Sequence, residues 1–337
     1  LGSTPVVNVH LLSNLEPFRY GATEFIRKSV LACRDRLGAQ GLHLYPLAYW
    51  DWPHTPDNLH PRMRQYERDW IWFEAWARYL WQPEREPETD RSYWVKRLAE
   101  KYGNERAAKL ILSAYNDAGQ CAPMLLRRFG ITEGNRQTFS LGMFLDQLVN
   151  PKSYRPFSGL WEWQAPPGER LAEYAKKEWN GQAHSGETPV TVIEATSRFA
   201  AQAVQSIERA APHVTLNQDE FERLRNDIHC IQLVSRNYGE KVRAAMLVLR
   251  YSYSQDLEDM ERAVIHLENS LKIYRTLVQR TGTTYRYANT LQTGHRRIPI
   301  RGWKEDGPAY YHWQQMLPLY EQELVEFKEG LLKLNQE

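Results

Sequence analysis

Apolar residues recur at three- and four-residue intervals in four successive runs along the last part of the chain. Val190, Ile193, Ser197, Ala200, Val204 and Ile207 make the first run. Phe221, Leu224, Ile228, Ile231, Ser235, Tyr238, Val242, Ala245 and Leu249 make the second, and Leu257, Met260, Val264, Leu267, Leu271, Tyr274 and Val278 the third. The fourth is Tyr310, Trp313, Leu317, Tyr320, Leu324, Phe327 and Leu331. Stripes of this period lie along one face of an α-helix and bring helices together in left-handed packing. Short links between the first three make those neighbours antiparallel. Pro318 removes a backbone donor and crowds the turn before it, which predicts a kink near Leu317. Residues 190–337 therefore read as an antiparallel helical bundle.

The other end of the chain has a different texture. Val6–Leu12 and Leu42–Ala48 are short apolar runs bounded by turn signals, and each reads as a strand. Between them, Glu24–Leu37 carries an amphipathic stripe (Phe25, Ile26, Val30, Cys33, Leu37), with Thr23 placed to cap it and Gly38 to end it. Strand, helix, strand is the unit of a parallel α/β sheet or barrel. Two such strands cannot close a barrel, so we expect residues 1–82 to be the last β/α units of something larger. Met63–Gln82 reads as one long helix with two apolar faces: Tyr66, Trp70, Phe73, Ala77 and Leu80 on one, and Trp72, Trp76 and Tyr79 on the other. Helices are expected over Tyr93–Tyr102 and from Glu105 to about Phe129, stopped by Gly103 and Gly130. Residues 83–189 form a helical and irregular connecting region, with short helices near 140–149 and 169–179. The fold class is thus mainly α: an N-terminal β/α remnant of a (β/α)8 barrel, with two parallel strands, followed by an all-helical bundle domain.

Composition excludes several functions. Lys and Arg number 43 against 41 Asp and Glu, a net +2, which offers no electrostatic case for nucleic acid as a partner. No stretch approaches about 18 consecutive apolar residues, so no membrane span is expected. Cys33, Cys121 and Cys230 are too far apart for a disulfide framework or a Cys-x-x-Cys metal site. The chain has no Walker A loop, GxGxxG, HExxH, EF-hand or GxSxG motif, and its ten histidines lack ligand spacing. We expect no cofactor and no metal.

Chemistry-bearing residues gather after the two strands, where parallel α/β folds meet their ligands. Ser13-Asn14-Leu15-Glu16-Pro17-Phe18-Arg19-Tyr20 follows the first, and Tyr49-Trp50-Asp51-Trp52-Pro53-His54 the second. Each loop carries a carboxylate, Glu16 and Asp51, among aromatics. Glycoside hydrolysis uses such a pair, one group protonating the leaving oxygen and the other acting as base or nucleophile. Arg19, Tyr49, Trp50, Trp52 and His54 are then the substrate-binding candidates. Arg296 and Arg297, in the basic loop 294–303, join them because a guanidinium pairs with a sugar carboxylate in two parallel hydrogen bonds. The competing reading is structural: Glu16 pairs with Arg19, Asp51 caps a turn before Pro53, and the basic loop ties the last helix to the bundle. Trp161-Glu162-Trp163 either covers a sugar site or packs. Asn116–Pro123 reads as a polar interruption of a helix. Trp50, Trp52, Trp70, Trp72, Trp76, Trp81 and Trp94 form a core layer or a sugar-stacking surface.

Glu16-Pro17-Phe18-Arg19 after a strand, the Tyr-Trp-Asp-Trp-Pro loop, and Asp69–Tyr79 followed by Tyr93-Trp94 and Tyr102-Gly103 carry a resemblance. Their order resembles the end of the catalytic barrel and the helical C-terminal domain of the α-glucuronidase and β-hexosaminidase-like glycoside hydrolases. The resemblance spans about residues 5–130 and implies that Glu16 ends strand seven and Asp51 ends strand eight of a (β/α)8 barrel. Barrels of this kind commonly place an acid on the fourth strand, which this chain does not contain. We therefore expect part of a glycoside hydrolase, exo-acting on a uronic-acid-containing oligosaccharide or polysaccharide. The expected partners are that substrate, and the N-terminal barrel portion or another chain that completes the site. A homodimer through the helical domain is a further expectation. Two other readings stand beside this one. The first is a non-catalytic helical module for carbohydrate binding or dimerisation. The second is a polysaccharide lyase, in which His54, Tyr49 and Arg19 would matter more than Glu16.

Overall fold

The computed structural model describes residues 5–9, 15–44, 51–130, 139–151, 166–290, 310–334 and 336. The chain is mainly α, as its sequence reads. It forms two compact units, each drawn from two stretches: Leu1–Pro123 with Arg198–Gln232, and Met124–Ser197 with Leu233–Glu337. The junctions between these stretches fall inside helices.

In the first unit, β1 (Val6–Val9) and β2 (Gly41–Leu44) pair in parallel, Val6 opposite Gly41 and Val9 opposite Leu44. Among the described residues this parallel sheet has two strands and closes no barrel. Helix α1 (Thr23–Leu37) connects them and packs on α3. Gly38 ends α1 in the left-handed conformation, and Ala39 N–H donates back to Cys33 O at 2.9 Å. Thr23 is not the cap. It is the first helical residue and is buried, while the Glu24 N–H is taken by Asn116 Oδ1 of another helix at 3.1 Å.

The helix expected over Met63–Gln82 is two helices, α2 (Gln65–Arg68) and α3 (Trp70–Trp81). Consecutive helical side chains diverge by about 100°, so a helix cannot send neighbours into one place. Arg68 and Asp69 are both fully buried and hydrogen-bonded to each other, and the backbone leaves the helical path at Asp69 to allow it. Of the two apolar faces, Trp72, Trp76 and Tyr79 are buried; Tyr66 and Leu80 are exposed and Trp70 and Phe73 half-exposed.

Helix α4 spans Pro87–Tyr102. Its start suits a proline, whose missing N–H is not needed there, and Glu86 accepts from the Glu88 and Thr89 N–H groups at 3.1 and 2.6 Å. Gly103 ends it in the left-handed region. Helix α5 (Glu105–Leu125) runs unbroken through Asn116–Pro123, correcting the expected interruption, and continues as a π-helical turn over Leu126–Gly130. Gly119 is where α5 meets the loop after β1: a Cβ there would fall on Ala22 Cβ and within 3.2 Å of the Tyr20 ring. Cys121 of α5 and Cys230 are wholly buried, and Cys33 is half-exposed.

The second unit adds α6 (Leu145–Val149) and α7 (Leu171–Trp179). The expected bundle helices are α8 (Pro189–Ala210), α9 (Gln218–Ser254), α10 (Leu257–Thr281) and α11 (Trp313–Leu334); α8 and α9 each have one end in either unit. Helix α11 runs through Pro318 and packs on α10. A short antiparallel pair, β3 (Asn289–Thr290) and β4 (Tyr310–Tyr311), precedes it. The stripe of α8 is displaced from the expected one: Thr196 and Ala203 are buried, whereas Ser197 is exposed and Val204 half-exposed. Thr196 can be buried because its hydroxyl donates to Val192 O at 2.9 Å within its own helix.

A 3-10 turn at Phe139–Leu141 sits among the aromatic side chains of this unit. The Tyr238 hydroxyl donates to Phe139 O at 2.8 Å, the Trp313 indole to Ser140 O at 2.8 Å, and the Tyr274 and Tyr320 hydroxyls to Leu141 O at 2.8 and 2.9 Å. Burial pushes all three phenols well above their ordinary range, so they remain donors.

Replacing Gly119 with Ala should cost about 1–3 kcal/mol through overpacking against Ala22, seen as a lower thermal midpoint; an unchanged midpoint would show that the two segments part freely. Trp313→Phe should cost about 1–3 kcal/mol from the orphaned Ser140 carbonyl alone, measured by urea unfolding. Equal stability to the parent would mean that this carbonyl finds another donor.

Candidate functional site

The loop after β1 turns inward. Phe18 N–H closes a turn on Leu15 O at 3.0 Å, and Leu15, Glu16, Phe18, Arg19 and Tyr20 are all buried. Arg19, expected to bind substrate, is 2% exposed and surrounded by carboxylates. Its guanidinium donates to Glu220 in two bonds at 2.7 and 2.9 Å, to Asp227 at 2.9 Å and to Asp57 at 2.9 Å. Its backbone N–H also reaches Asp227, at 3.0 Å. These bonds engage all three nitrogens of the guanidinium, so the side chain ties the loop after β1 to the residues that bury it.

Asp57 extends the cluster. Its second oxygen accepts from Arg68 Nη1 at 2.6 Å, and Arg68 in turn holds Asp69 at 2.9–3.0 Å. Arg223 approaches Asp57 at 3.8 Å. The network therefore joins the loop after β1, the segment after β2, the α2–α3 junction and the start of α9. Burial pushes the Asp57 carboxyl up, but the Arg19 and Arg68 guanidinium groups outweigh it and hold the group well below the usual carboxylate range. At Asp69 burial wins over Arg68, and the carboxyl lies above its ordinary range.

The second loop folds back on itself. His54 N–H donates to Asp51 O at 2.8 Å, Thr55 N–H to Met63 O at 2.9 Å and Gln65 N–H to Pro53 O at 2.8 Å. Asp51 is paired with Arg62, whose guanidinium also reaches Thr55 O at 3.2 Å. Trp52 is 51% exposed and meets the edge of Phe73 at 6.3 Å between ring centroids. His54 is half-exposed, its carbonyl taken by the Gln65 amide at 2.9 Å. Asp51, Trp52 and His54 thus share one closed loop with an open indole face. Tyr49, Trp50, Arg296 and Arg297 lie outside the described residues, as do Arg301, Trp161 and Trp163.

The tryptophan cluster divides between the two expected uses. Trp72, Trp76 and Trp94 are buried, Trp52 and Trp81 are exposed, and Trp70 is half-exposed with Arg97 and Lys101 over its ring at 5.5 and 5.4 Å. A cavity of about 560 Å3 opens between α1, α4, α5 and α8 in the first unit, and neither Glu16 nor Asp51 lines it. Among the described residues no cluster of His, Cys, Asp and Glu is arranged to hold a metal ion, and no helix is long and apolar enough to cross a membrane. Sequence reading missed Asp57, Arg68, Asp69, Glu220 and Asp227. The available signal was Arg68-Asp69, two adjacent opposite charges opening an otherwise aromatic run.

Comparison with solved structures finds a close likeness over nearly the whole chain. The chain is similar to the solved structure of a GH138 enzyme targeting pectin rhamnogalacturonan II, at 43% identity and a TM-score of 0.91. The match covers 98% of this chain and 48% of that one, so this chain spans about half the length of the enzyme it matches. No protein-family model matches the chain, and no curated protein does either. The likeness is to a glycoside hydrolase; it does not single out the α-glucuronidases or β-hexosaminidase-like enzymes.

The charge cluster predicts an acid-dependent stability. Asp57 binds its proton more weakly in the folded protein than in the unfolded chain. Its contribution is therefore complete above the ordinary aspartate pKa of about 3.9 and is lost as pH falls below it toward the depressed folded value. Asp69 contributes with the opposite sign, so a single-site variant is needed to isolate Asp57. Asp57→Asn should lose about 3–5 kcal/mol at neutral pH, because it breaks a buried pair. Its urea midpoint should also change less than the parent's between about pH 4 and 2. Parallel curves would remove Asp57 from the centre of the network.

Proposed function

We propose that this chain is part of a glycoside hydrolase acting on a polysaccharide, with pectin rhamnogalacturonan II as the substrate class and a terminal, uronic-acid-bearing sugar as the point of attack. The observation that carries this reading is the likeness to the GH138 enzyme over 98% of the chain at 43% identity. The terminal-sugar mode draws on the resemblance in the sequence around Glu16 and Asp51.

In this reading β1 and β2 are strands of a catalytic barrel, and the exposed part of the loop after β2 faces the sugar. Trp52 stacks on the CH face of a ring, the use for which an exposed indole on a closed loop is suited. Asp51 accepts hydrogen bonds from sugar hydroxyls or from water, oriented by Arg62. Glu16, the first acidic residue in the chain after β1, serves proton transfer, working with a second carboxylate as glycoside hydrolysis requires. Arg19 is left out of the site, for the reasons given above.

The test uses the protein at its natural length with a rhamnogalacturonan II preparation as substrate, products being resolved by chromatography. A single monosaccharide released without an unsaturated uronide is expected. A ladder of oligomers would remove the terminal mode, and near-ultraviolet absorbance from an unsaturated product would make the protein a lyase. Glu16→Gln and Asp51→Asn should each lower turnover about 10²–10⁴-fold if they take part in proton transfer, with the parental melting midpoint. Trp52→Ala should raise KM more than it lowers kcat. Full turnover in both carboxylate variants would place the chemistry on other residues.

A further inference from the structure

Helix α3 is apolar on two faces, and one of them is left uncovered. Successive helical residues turn by about 100°. Trp72, Ala75, Trp76 and Tyr79 therefore share one side, and all four are buried. Phe73, Ala77, Leu80 and Trp81 share the opposite side, where Phe73 is half-exposed and the other three are exposed. Among the described large apolar side chains none is more open than Trp81, at 88%. The exposed Trp52 meets Phe73 at one end of this row and lengthens it. Single exposed apolar side chains are ordinary on a protein surface, but a row of them along one helix face marks a contact site.

The chemistry of the face narrows what it meets. A sugar site sets polar groups beside its aromatic rings to take the hydroxyls, and Ala77 and Leu80 bring none. The polar groups at the margin are engaged with one another: Glu74 accepts from Arg97 at 3.1 Å and from Tyr93, and Arg78 donates to Asp90 at 2.9 Å. An apolar centre with aromatic anchors and a polar rim is the make-up of a protein–protein contact. The topology shows where such a contact would come from. Helix α3 follows β2 and packs on α1, which follows β1. Helices after successive parallel strands stand side by side, so α3, with α1 against it, has room for one more such neighbour. The GH138 enzyme has about half its length without a counterpart in this chain.

We infer that the free face of α3 is the docking surface for a further β/α unit of the protein at its natural length, packed helix against helix with Phe73 and Trp81 as its anchors. The identity of that partner rests on the function proposed above, in which β1 and β2 are strands of a larger barrel, whereas the open apolar face is a property of α3 itself. The helix that docks there carries its own apolar stripe at three- and four-residue spacing, because only such a stripe seats its side chains between those of α3.

The experiment is hydroxyl-radical footprinting of the protein at its natural length, with oxidation of each tryptophan read by mass spectrometry. Trp179 of α7, 46% exposed, is the open reference, and the buried Trp94 the closed one. By its exposure in this chain Trp81 is the faster of Trp81 and Trp179 to oxidise. Docking reverses that order and brings Trp81 toward Trp94. Oxidation of Trp81 at or above the rate of Trp179 would overturn the proposal. So would protection that disappears on dilution, which marks a second copy of the chain, or protection that needs added pectin, which marks a sugar site. A variant gives an independent reading. So exposed a side chain has almost no packing to lose within this chain, and Trp81→Ala on an open surface would leave the melting midpoint where it is. Under a docked helix the same change lowers the midpoint of the natural-length protein, and an unchanged midpoint would count against the inference. Hydrolysis of rhamnogalacturonan II with Trp81 open would sink this inference alone; protection of Trp81 without hydrolysis would sink the function proposed above and leave the docking surface standing.

Discussion

A guanidinium sealed from water must find its counter-charges inside the protein. Arg19 finds three carboxylates, from Asp57, Glu220 and Asp227, and Asp57 passes the connection on to Arg68 and Asp69. Desolvating so many charges is costly, and only tight geometry with full hydrogen bonding offsets it. That requirement fixes much of the first unit. It draws the loop after β1 inward, stops α2 after one turn, and sets where α9 begins to pack. Both candidate catalytic loops are anchored through this cluster, Glu16 by its neighbour Arg19 and Asp51 by the closed loop that ends at Arg68. The cluster is thus the base on which the chemistry proposed at the strand ends is positioned.

The second unit solves a related problem with neutral groups. A 3-10 turn leaves carbonyls that α-helical hydrogen bonds do not satisfy, and at Phe139–Leu141 aromatic donors from α9, α10 and α11 take them up. Nearby, Lys241 and Glu323 form a buried pair, and Glu323 also accepts from Leu145 N–H. The three tyrosines read in the sequence as seam residues, apolar bulk on a helix face. Their hydroxyls instead give the packing a fixed register.

Local and periodic features were the legible part. The 3.5-residue stripes located the four long helices, Gly38 and Gly103 located two helix ends, and strand-like runs located β1 and β2 with their parallel pairing. Features that depend on distant partners were not legible. Nothing beside Arg19 in the chain announces Glu220 or Asp227, more than 200 residues away. The position next to Glu-Pro-Phe suggested a ligand contact, and the partners that bury it come from α9. The break at Asp69 was invisible for the same reason, because helix propensity favours continuity through Arg68-Asp69 and the burial of both, bonded to each other and through Arg68 to Asp57, is not written in the local sequence. At the candidate site, the carboxylates and the exposed Trp52 could be picked out by type and place. The cavity could not, because α1, α4, α5 and α8 contribute to it and no single segment of sequence carries its pattern.

The placement of the cysteines gives the first unit a built-in clock. Cys121 in α5 and Cys230 in α9 have no accessible surface, so a thiol reagent reaches them only in molecules whose interior has opened. Cys33, half-exposed on α1 with its thiol pushed up by partial burial, is within reach of a reagent from the folded surface. One population of the protein therefore carries a surface reference and two interior reporters of the same chemical kind. Their labelling rates separate breathing of the α1 surface from exposure of the layer that the charge cluster holds together.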